Sequence, residues 1–196
     1  ILDAGADAVV IATGSTPRRT GYSSHRPHVA RLPGVELPHV VTVWDVFSNE
    51  AEIGERVVLI DEGPHFAGIF SAEHLADLGR RVEVVTPGLH VGRTLEIGFV
   101  PHLYRRILPK GVVVTPDTIV TGIEVNAVTC ENRYTGEALR IENVDTVVLA
   151  MGNETDDGLY RELKGRVPEM HTVGDCLAPR NIADAIFDGE RVGRLI

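Results

Sequence analysis

One eight-residue phrase occurs twice, as Asp7-Ala8-Val9-Val10-Ile11-Ala12-Thr13-Gly14 near the start and as Asp145-Thr146-Val147-Val148-Leu149-Ala150-Met151-Gly152 toward the end. Each copy is a short apolar run that stops at a small residue and a glycine. Such runs predict strands buried on both faces, and the glycine marks a place where the backbone turns tightly or approaches another group. Two matching strands with most of the chain strung between them predict one domain interrupted by another.

The intervening sequence has its own pattern. Arg56-Val57-Val58-Leu59-Ile60 predicts a strand, and the spacing of Ile69, Ala72, Ala76 and Gly79 predicts a helix over 69–78 that Gly79 ends as a C-cap. A second strand over 81–86, closed by Pro87-Gly88, completes a βαβ unit. Phe99, Leu103 and Ile107 form one stripe of a helix over 97–108, with Pro101 in its first turn. Short strands follow at 112–114, 118–125, 128–131 and 138–141, with a turn at 133–136. The predicted fold class is α/β: a Rossmann-like, three-layer ββα/βαβ domain of the FAD/NAD(P)-binding type with a β-meander, plus part of a second dinucleotide-binding domain. The domain limits are 51–150 for the inserted NAD(P)-binding-like domain, and 1–50 with 151–196 for an incomplete FAD/ADP-binding domain. The stretch from Ser15 to Leu37, rich in Pro, Gly, His and Arg, reads as a surface linker with solvated His25 and His28. The last segment predicts a strand over 170–173, the pair Gly174-Asp175, and a helix capped by Asn181 with Asp184 three residues later. Ile182, Ile186, Gly189 and Gly193 are expected to form its close-packing face.

Composition excludes several classes. With 43% hydrophobic and 24% charged residues in 196, the chain reads as globular, and a formal net charge of −9 disfavours a nucleic-acid partner. No apolar run reaches bilayer-spanning length, so no membrane partner is expected, and the start lacks the basic region of a secretory signal. Cys130 and Cys176 follow no metal or redox spacing, which predicts buried reduced thiols, a cytoplasmic protein and no metal site. The absence of an initial Met, with a strand beginning almost at once, reads as a boundary inside a longer enzyme.

Two places could meet a nucleotide. A dinucleotide-binding βαβ turn requires Gly-x-Gly-x-x-Gly, but this turn reads Asp61-Glu62-Gly63-Pro64-His65-Phe66. Only Gly63 survives as a contact candidate, and two carboxylates stand where a pyrophosphate would meet the helix N-terminus. Arg93 alone is placed for a 2′-phosphate clamp, while His65 and His90 read as exposed loop residues. The second place is Thr172-Val173-Gly174-Asp175, followed by the Asn181 helix. There a carboxylate can accept from a sugar or ribityl hydroxyl beside a helix N-terminus, a combination suited to a flavin.

Taken with Ala6-Asp7-Ala8-Val9-Val10-Ile11-Ala12-Thr13-Gly14, the helix phrase Ala72-Glu73-His74-Leu75-Ala76 and Val173-Gly174-Asp175-Cys176-Leu177-Ala178-Pro179-Arg180-Asn181-Ile182-Ala183-Asp184-Ala185, the chain resembles the C-terminal half of the old-yellow-enzyme-related NADH:flavin oxidoreductases. That group holds trimethylamine dehydrogenase, histamine dehydrogenase and 2,4-dienoyl-CoA reductase, and the Ala-Pro-Arg and Ile-Ala-Asp-Ala phrases resemble its trimethylamine dehydrogenase branch. The resemblance implies a partial site for FAD or ADP in which Gly174 and Asp175 meet the ribityl or ribose-pyrophosphate portion. It implies that Ile182, Ala183 and Asp184 form the helix end beside it, with Ala12, Thr13 and Gly14 at the domain crossing. It implies an N-terminal barrel elsewhere in the parent chain carrying FMN and a 4Fe-4S cluster, and an electron-transfer flavoprotein as partner. Asp61 and Phe66 depart from the pattern of a working NAD(P) site and resemble the amine dehydrogenase and demethylase branch, where that domain is vestigial. The chain contains no catalytic residue. The expected function is the nucleotide-binding portion of a flavin-dependent oxidoreductase, with a non-catalytic ADP-binding or structural module as the alternative. A single-domain Rossmann dehydrogenase is disfavoured by Asp61.

Overall fold

The computed structural model describes every residue except Asn49, Pro64 and His65. Its elements run β1 (Ala8–Ile11), β2 (Ser15–Pro17), β3 (Val40–Thr42), α1 (Val43–Ser48), β4 (Arg56–Asp61), α2 (Ala67–Asp77), β5 (Arg81–Val85), α3 (Val100–Ile107), β6 (Val113–Thr115), β7 (Thr118–Ile123), β8 (Ala127–Asn132), β9 (Ala138–Glu142), β10 (Thr146–Ala150), β11 (Asn153–Thr155), α4 (Gly158–Leu163), β12 (Glu169–Thr172) and α5 (Ile182–Gly193). They pack as two compact units, residues 17–152 and residues 1–16 with 153–196. None of the helices is long and apolar enough to cross a membrane among the described residues.

The larger unit is built on a five-stranded parallel sheet of order β3-β10-β4-β5-β6. Its inner strands are mostly apolar because both faces are covered, with polar residues such as Arg56, Asp61 and Thr146 at their ends, and the period-2 alternation decides which neighbour each residue meets. Val57, Leu59, Val84 and Val148 point to one core with Ile69, Ala72, Leu75, Leu103 and Ile107 of the helices. Val58, Ile60, Val85, Val147 and Leu149 point to a second core with Val120, Val128, Cys130 and Ile141 of the antiparallel sheet β7-β8-β9. The result is three layers: helices, parallel sheet and antiparallel meander.

Two sequence expectations change here. The run near 112–114 becomes β6, an edge strand of the parallel sheet rather than part of the meander. Residues 17–50, assigned above to the outer domain, pack within the larger unit, because β3 pairs with β10 and because Leu32 and Val35 are buried in the second core. The 18–37 stretch forms no helix or strand and runs largely along the surface, as expected, but Leu32 and Val35 anchor it in that core. Gly34 has φ of +81°, and a Cβ there would fall 1.9 Å from the Ile123 carbonyl oxygen, so only glycine lets this segment lie on β7. The ends of the larger unit meet where Arg18 N–H donates to the Gly152 carbonyl at 3.0 Å.

The smaller unit has the parallel pair β1-β12, the two-stranded ribbon β2-β11, and helices α4 and α5. Ile11, Leu163 and Cys176 form its small core with Val9, Leu159, Tyr160 and Met170. On α5 the packed residues are Asp188 and Val192, whereas Ile182 and Ile186 are 79% and 65% exposed. The packing face predicted from Ile182, Ile186, Gly189 and Gly193 is thus the outer face. The closest approach is made elsewhere, where a Cβ on Gly174 would lie 3.3 Å from Ala185 Cβ. The twin glycines of the repeated phrase behave alike, with φ of +81° at Gly14 and +80° at Gly152.

Candidate functional site

The smaller unit carries a groove of about 430 Å³ at the ends of β1 and β12, lined by Ala12, Gly14, Val173, Gly174, Asp175, Arg180, Asn181, Ile182 and Ala185. The sequence produces it in three steps. The β1 run stops at Ala12-Thr13-Gly14, where the positive φ of Gly14 turns the backbone and a Cβ would meet nothing within 4 Å. The strand β12 passes through Val173 to Gly174, whose φ of +65° swings the chain into a short 3₁₀ turn over Gly174–Cys176. The helix α5 then begins at Asn181, whose side chain accepts the Asp184 N–H at 3.0 Å. This cap satisfies one first-turn donor and leaves the N–H groups of Ile182 and Ala183 at a helix end of positive potential.

Asp175 is held on both oxygens. Its Oδ2 accepts from Ser15 Oγ at 2.9 Å, its Oδ1 accepts from Arg180 N–H at 3.1 Å, and Asn153 Nδ2 in turn donates to Ser15 Oγ at 2.9 Å. Behind the groove, Asp188 is 4% exposed and accepts from the Gly174 N–H at 3.2 Å and from the Arg180 guanidinium. Of the expected residues, Ala12, Gly14, Gly174, Asp175 and Ile182 line the groove. Thr13 sits beside it, with its hydroxyl on the Asp156 carbonyl, and Ala183 and Asp184 lie in the adjoining first turn of α5. Ser15, Asn153, Arg180 and Asp188 are the supporting residues that sequence reasoning missed. The one signal for Asp188 is its place three residues after Ala185 and four before Val192, on the packed side of an otherwise solvated helix.

Gly63 belongs to the larger unit. Its N–H donates to the Ala150 carbonyl at 2.6 Å, and a Cβ there would fall 2.8 Å from the same oxygen, so the glycine answers to the close passage of β10. Pro64 and His65 of the same turn lie outside the described residues. Asp61 ends β4 nearly buried, and burial raises its carboxyl to about 7 against the opposing hydrogen bond from Gly92 N–H. Burial likewise raises Glu62, which accepts from Ser23 Oγ at 2.6 Å. Burial lowers His25, helped by Arg133 and Arg93, so this histidine is not the solvated residue expected. Arg93 is exposed, and its charge bears on Asp61 and Glu62 as well. Cys130 and Cys176 are free and buried, as expected. No group of three metal-ligating side chains occurs among the described residues.

Comparison with known proteins identifies the relatives of this chain. The family model described as the OYE-like second alpha/beta domain matches residues 41–163. Dimethylamine dehydrogenase of Hyphomicrobium sp. (strain x) is 34% identical across 100% of this chain and 30% of its own length. The structure of 6-hydroxypseudooxynicotine amine oxidase from Pseudomonas geniculata N1 superposes with a TM-score of 0.90 at 28% identity, covering 98% of this chain and 29% of that one. Histamine dehydrogenase from Rhizobium sp. 4-9 gives 0.88 at 28% identity, covering 98% and 31%. The chain therefore spans about 30% of the length of the relatives it matches. With its parallel sheet, meander and flanking helices matched across most of the larger unit, the chain belongs to the OYE-like second alpha/beta domain family.

Proposed function

We propose that this chain is the nucleotide-binding portion of a flavin-dependent oxidoreductase of the amine dehydrogenase and N-demethylase type, in which the groove of the smaller unit takes the ADP moiety of FAD or ADP itself. The observation that carries the reading is the junction of Gly174-Asp175 with the N-terminal end of α5 around one groove. The fit is favourable: Gly14 and Gly174 present backbone to the groove, and a Cβ on Gly14 would enter open space. Asp175 accepts from a ribose or ribityl hydroxyl, Asn181 sets the helix end, and the first-turn N–H groups of Ile182 and Ala183 face the phosphates. A flavin, when bound in such an enzyme, supplies hydride and electron transfer; this chain binds and orients, and contributes no acid, base or nucleophile. The FMN and 4Fe-4S cluster belong to a barrel outside this sequence, an electron-transfer flavoprotein is the proposed electron acceptor, and a cytoplasmic location accords with two free thiols. The inserted unit is read as a dinucleotide-binding fold whose NAD(P) site is degenerate.

The alternative, a structural or ADP-binding module without a redox role, is favoured by one observation: both Asp175 oxygens already have partners within the chain. Calorimetric titration with ADP and FAD separates the proposal from a purely structural module. Micromolar binding that Asp175→Ala weakens at least roughly tenfold supports the proposal. Absence of binding, or binding indifferent to Asp175, sinks it.

A further inference from the structure

Asp61 stands out among the described residues as a carboxyl buried to 3% exposure with one oxygen unpaired. It closes β4, the middle strand of the parallel sheet, at the turn into α2. Its Oδ2 accepts from Gly92 N–H at 2.7 Å, while Oδ1 has no hydrogen-bond partner. The carboxyl lies against the first turn of α2 so closely that a Cβ on Gly68 would fall 2.1 Å from Oδ1 and 2.6 Å from Cγ. No second group fits between this carboxyl and the helix backbone. In a strand-turn-helix of this kind, the helix N-terminus attracts an anion through its dipole and free N–H groups. Here a carboxyl of the chain itself, brought from the strand, already lies against that first turn.

We propose that Asp61 is the residue that excludes pyridine nucleotides from the larger unit, its carboxyl filling the space a diphosphate requires. The inference rests on reading this unit as a dinucleotide-binding fold, and it goes further by assigning the loss of binding to one side chain. One feature reinforces the exclusion. The loop after β5 is pinned over the turn at adjacent residues, because Gly92 N–H bonds Asp61 and Val91 N–H bonds the Tyr104 hydroxyl at 3.1 Å. The neighbouring Glu62 is engaged elsewhere, by the Ser23 hydroxyl at 2.6 Å.

The test is titration of the full chain and its variants with NADH and NADPH, with hydrogen exchange read by mass spectrometry to locate any protection. The unmodified chain is expected to show no nucleotide-dependent protection in 61–72 or 86–96. Asp61→Gly is expected to gain it, with affinity for NADH improved about tenfold or more, and Glu62→Gln is expected to gain none. Asp61→Ala repeats the measurement if the glycine variant fails to fold. Equal protection in the unmodified chain, no gain in a folded Asp61→Gly or Asp61→Ala, or an equal gain in Glu62→Gln overturns the assignment. Protection of 173–185 by ADP reports separately on the groove, so failure of that reading is distinguishable from failure of this one.

Discussion

The N–H of Gly174 lies 3.2 Å from Asp188 Oδ2, joining the end of β12 to the second turn of α5 through a buried carboxylate. The same carboxylate takes the guanidinium of Arg180 from the rim of the groove. One acidic side chain therefore sets both the floor and one wall of the candidate nucleotide site. Asp188→Leu strands a buried amide and is expected to cost about 1–3 kcal/mol, with a larger fractional loss of ADP affinity than of stability. Asp188→Asn keeps an acceptor and is expected to lose less than half as much. Urea denaturation beside calorimetry decides the matter, and equal effects of the two substitutions would remove Asp188 from this role.

Stability should depend on pH through Asp61. Its carboxyl is raised from an ordinary 3.8 to about 7, mainly by burial, with Glu62 pushing the same way and Gly92 N–H and Arg93 opposing. Between those values the folded chain keeps a proton that the unfolded chain has released, so stability is greatest below 3.8 and is lost as pH rises through 7. The loss is about 4 kcal/mol for a group this deeply buried. Asp61→Asn is expected to flatten the profile and to be more stable than the unmodified chain at pH 8. Burial of His25 acts in the opposite sense on the acid side, so the difference between the two proteins isolates Asp61. Parallel profiles from pH 5 to 8 would contradict the prediction.

Two glycines of equal φ should respond very differently to alanine. At Gly34 the added Cβ meets the Ile123 carbonyl oxygen at 1.9 Å, whereas at Gly14 it meets nothing within 4 Å. Gly14→Ala is expected to cost about 1 kcal/mol for the left-handed backbone alone, and Gly34→Ala more than about 3 kcal/mol as the 17–37 segment lifts from β7. Thermal unfolding followed by circular dichroism measures both, and similar midpoints for the two variants would disprove the packing argument.

The thiols should be inert while the chain is folded. Burial, with the nearby Glu83 charge, pushes Cys130 up to about 12, and Cys176 is buried in the small core. Both are expected to react with an aromatic disulfide reagent only after denaturation. Fast labelling of either residue in the native chain would show that its core opens readily.

The parts of this architecture legible in the sequence are those carried by periodicity. Val57 through Ile60 read as a doubly buried strand because two packed faces leave no position for a polar residue, and Asn181 with Asp184 read as a helix start because capping needs that spacing. Leu32 and Val35 could not be read as core, since they lie among prolines and glycines with no period to mark them. The groove was legible at Gly174-Asp175, where the backbone must turn. Its supports were not, because Ser15 and Asn153 lie 138 residues apart with nothing local to link them to Asp175, and Asp188 looks like any solvated helical carboxylate until its neighbours are placed.

The contact between Arg18 N–H and the Gly152 carbonyl has a kinetic consequence. The parallel partners Ala8 and Glu169 stand far apart in sequence, and their pairing closes a very long loop at an entropic cost that grows with the logarithm of its length. Once the larger unit has folded, its two ends emerge side by side, and the effective loop shrinks to a few residues on either side of that bond. Assembly of the candidate groove is then the second event on the folding path, gated by the first, and substitutions that slow closure of the inserted unit should delay formation of the smaller unit even where they touch none of its residues.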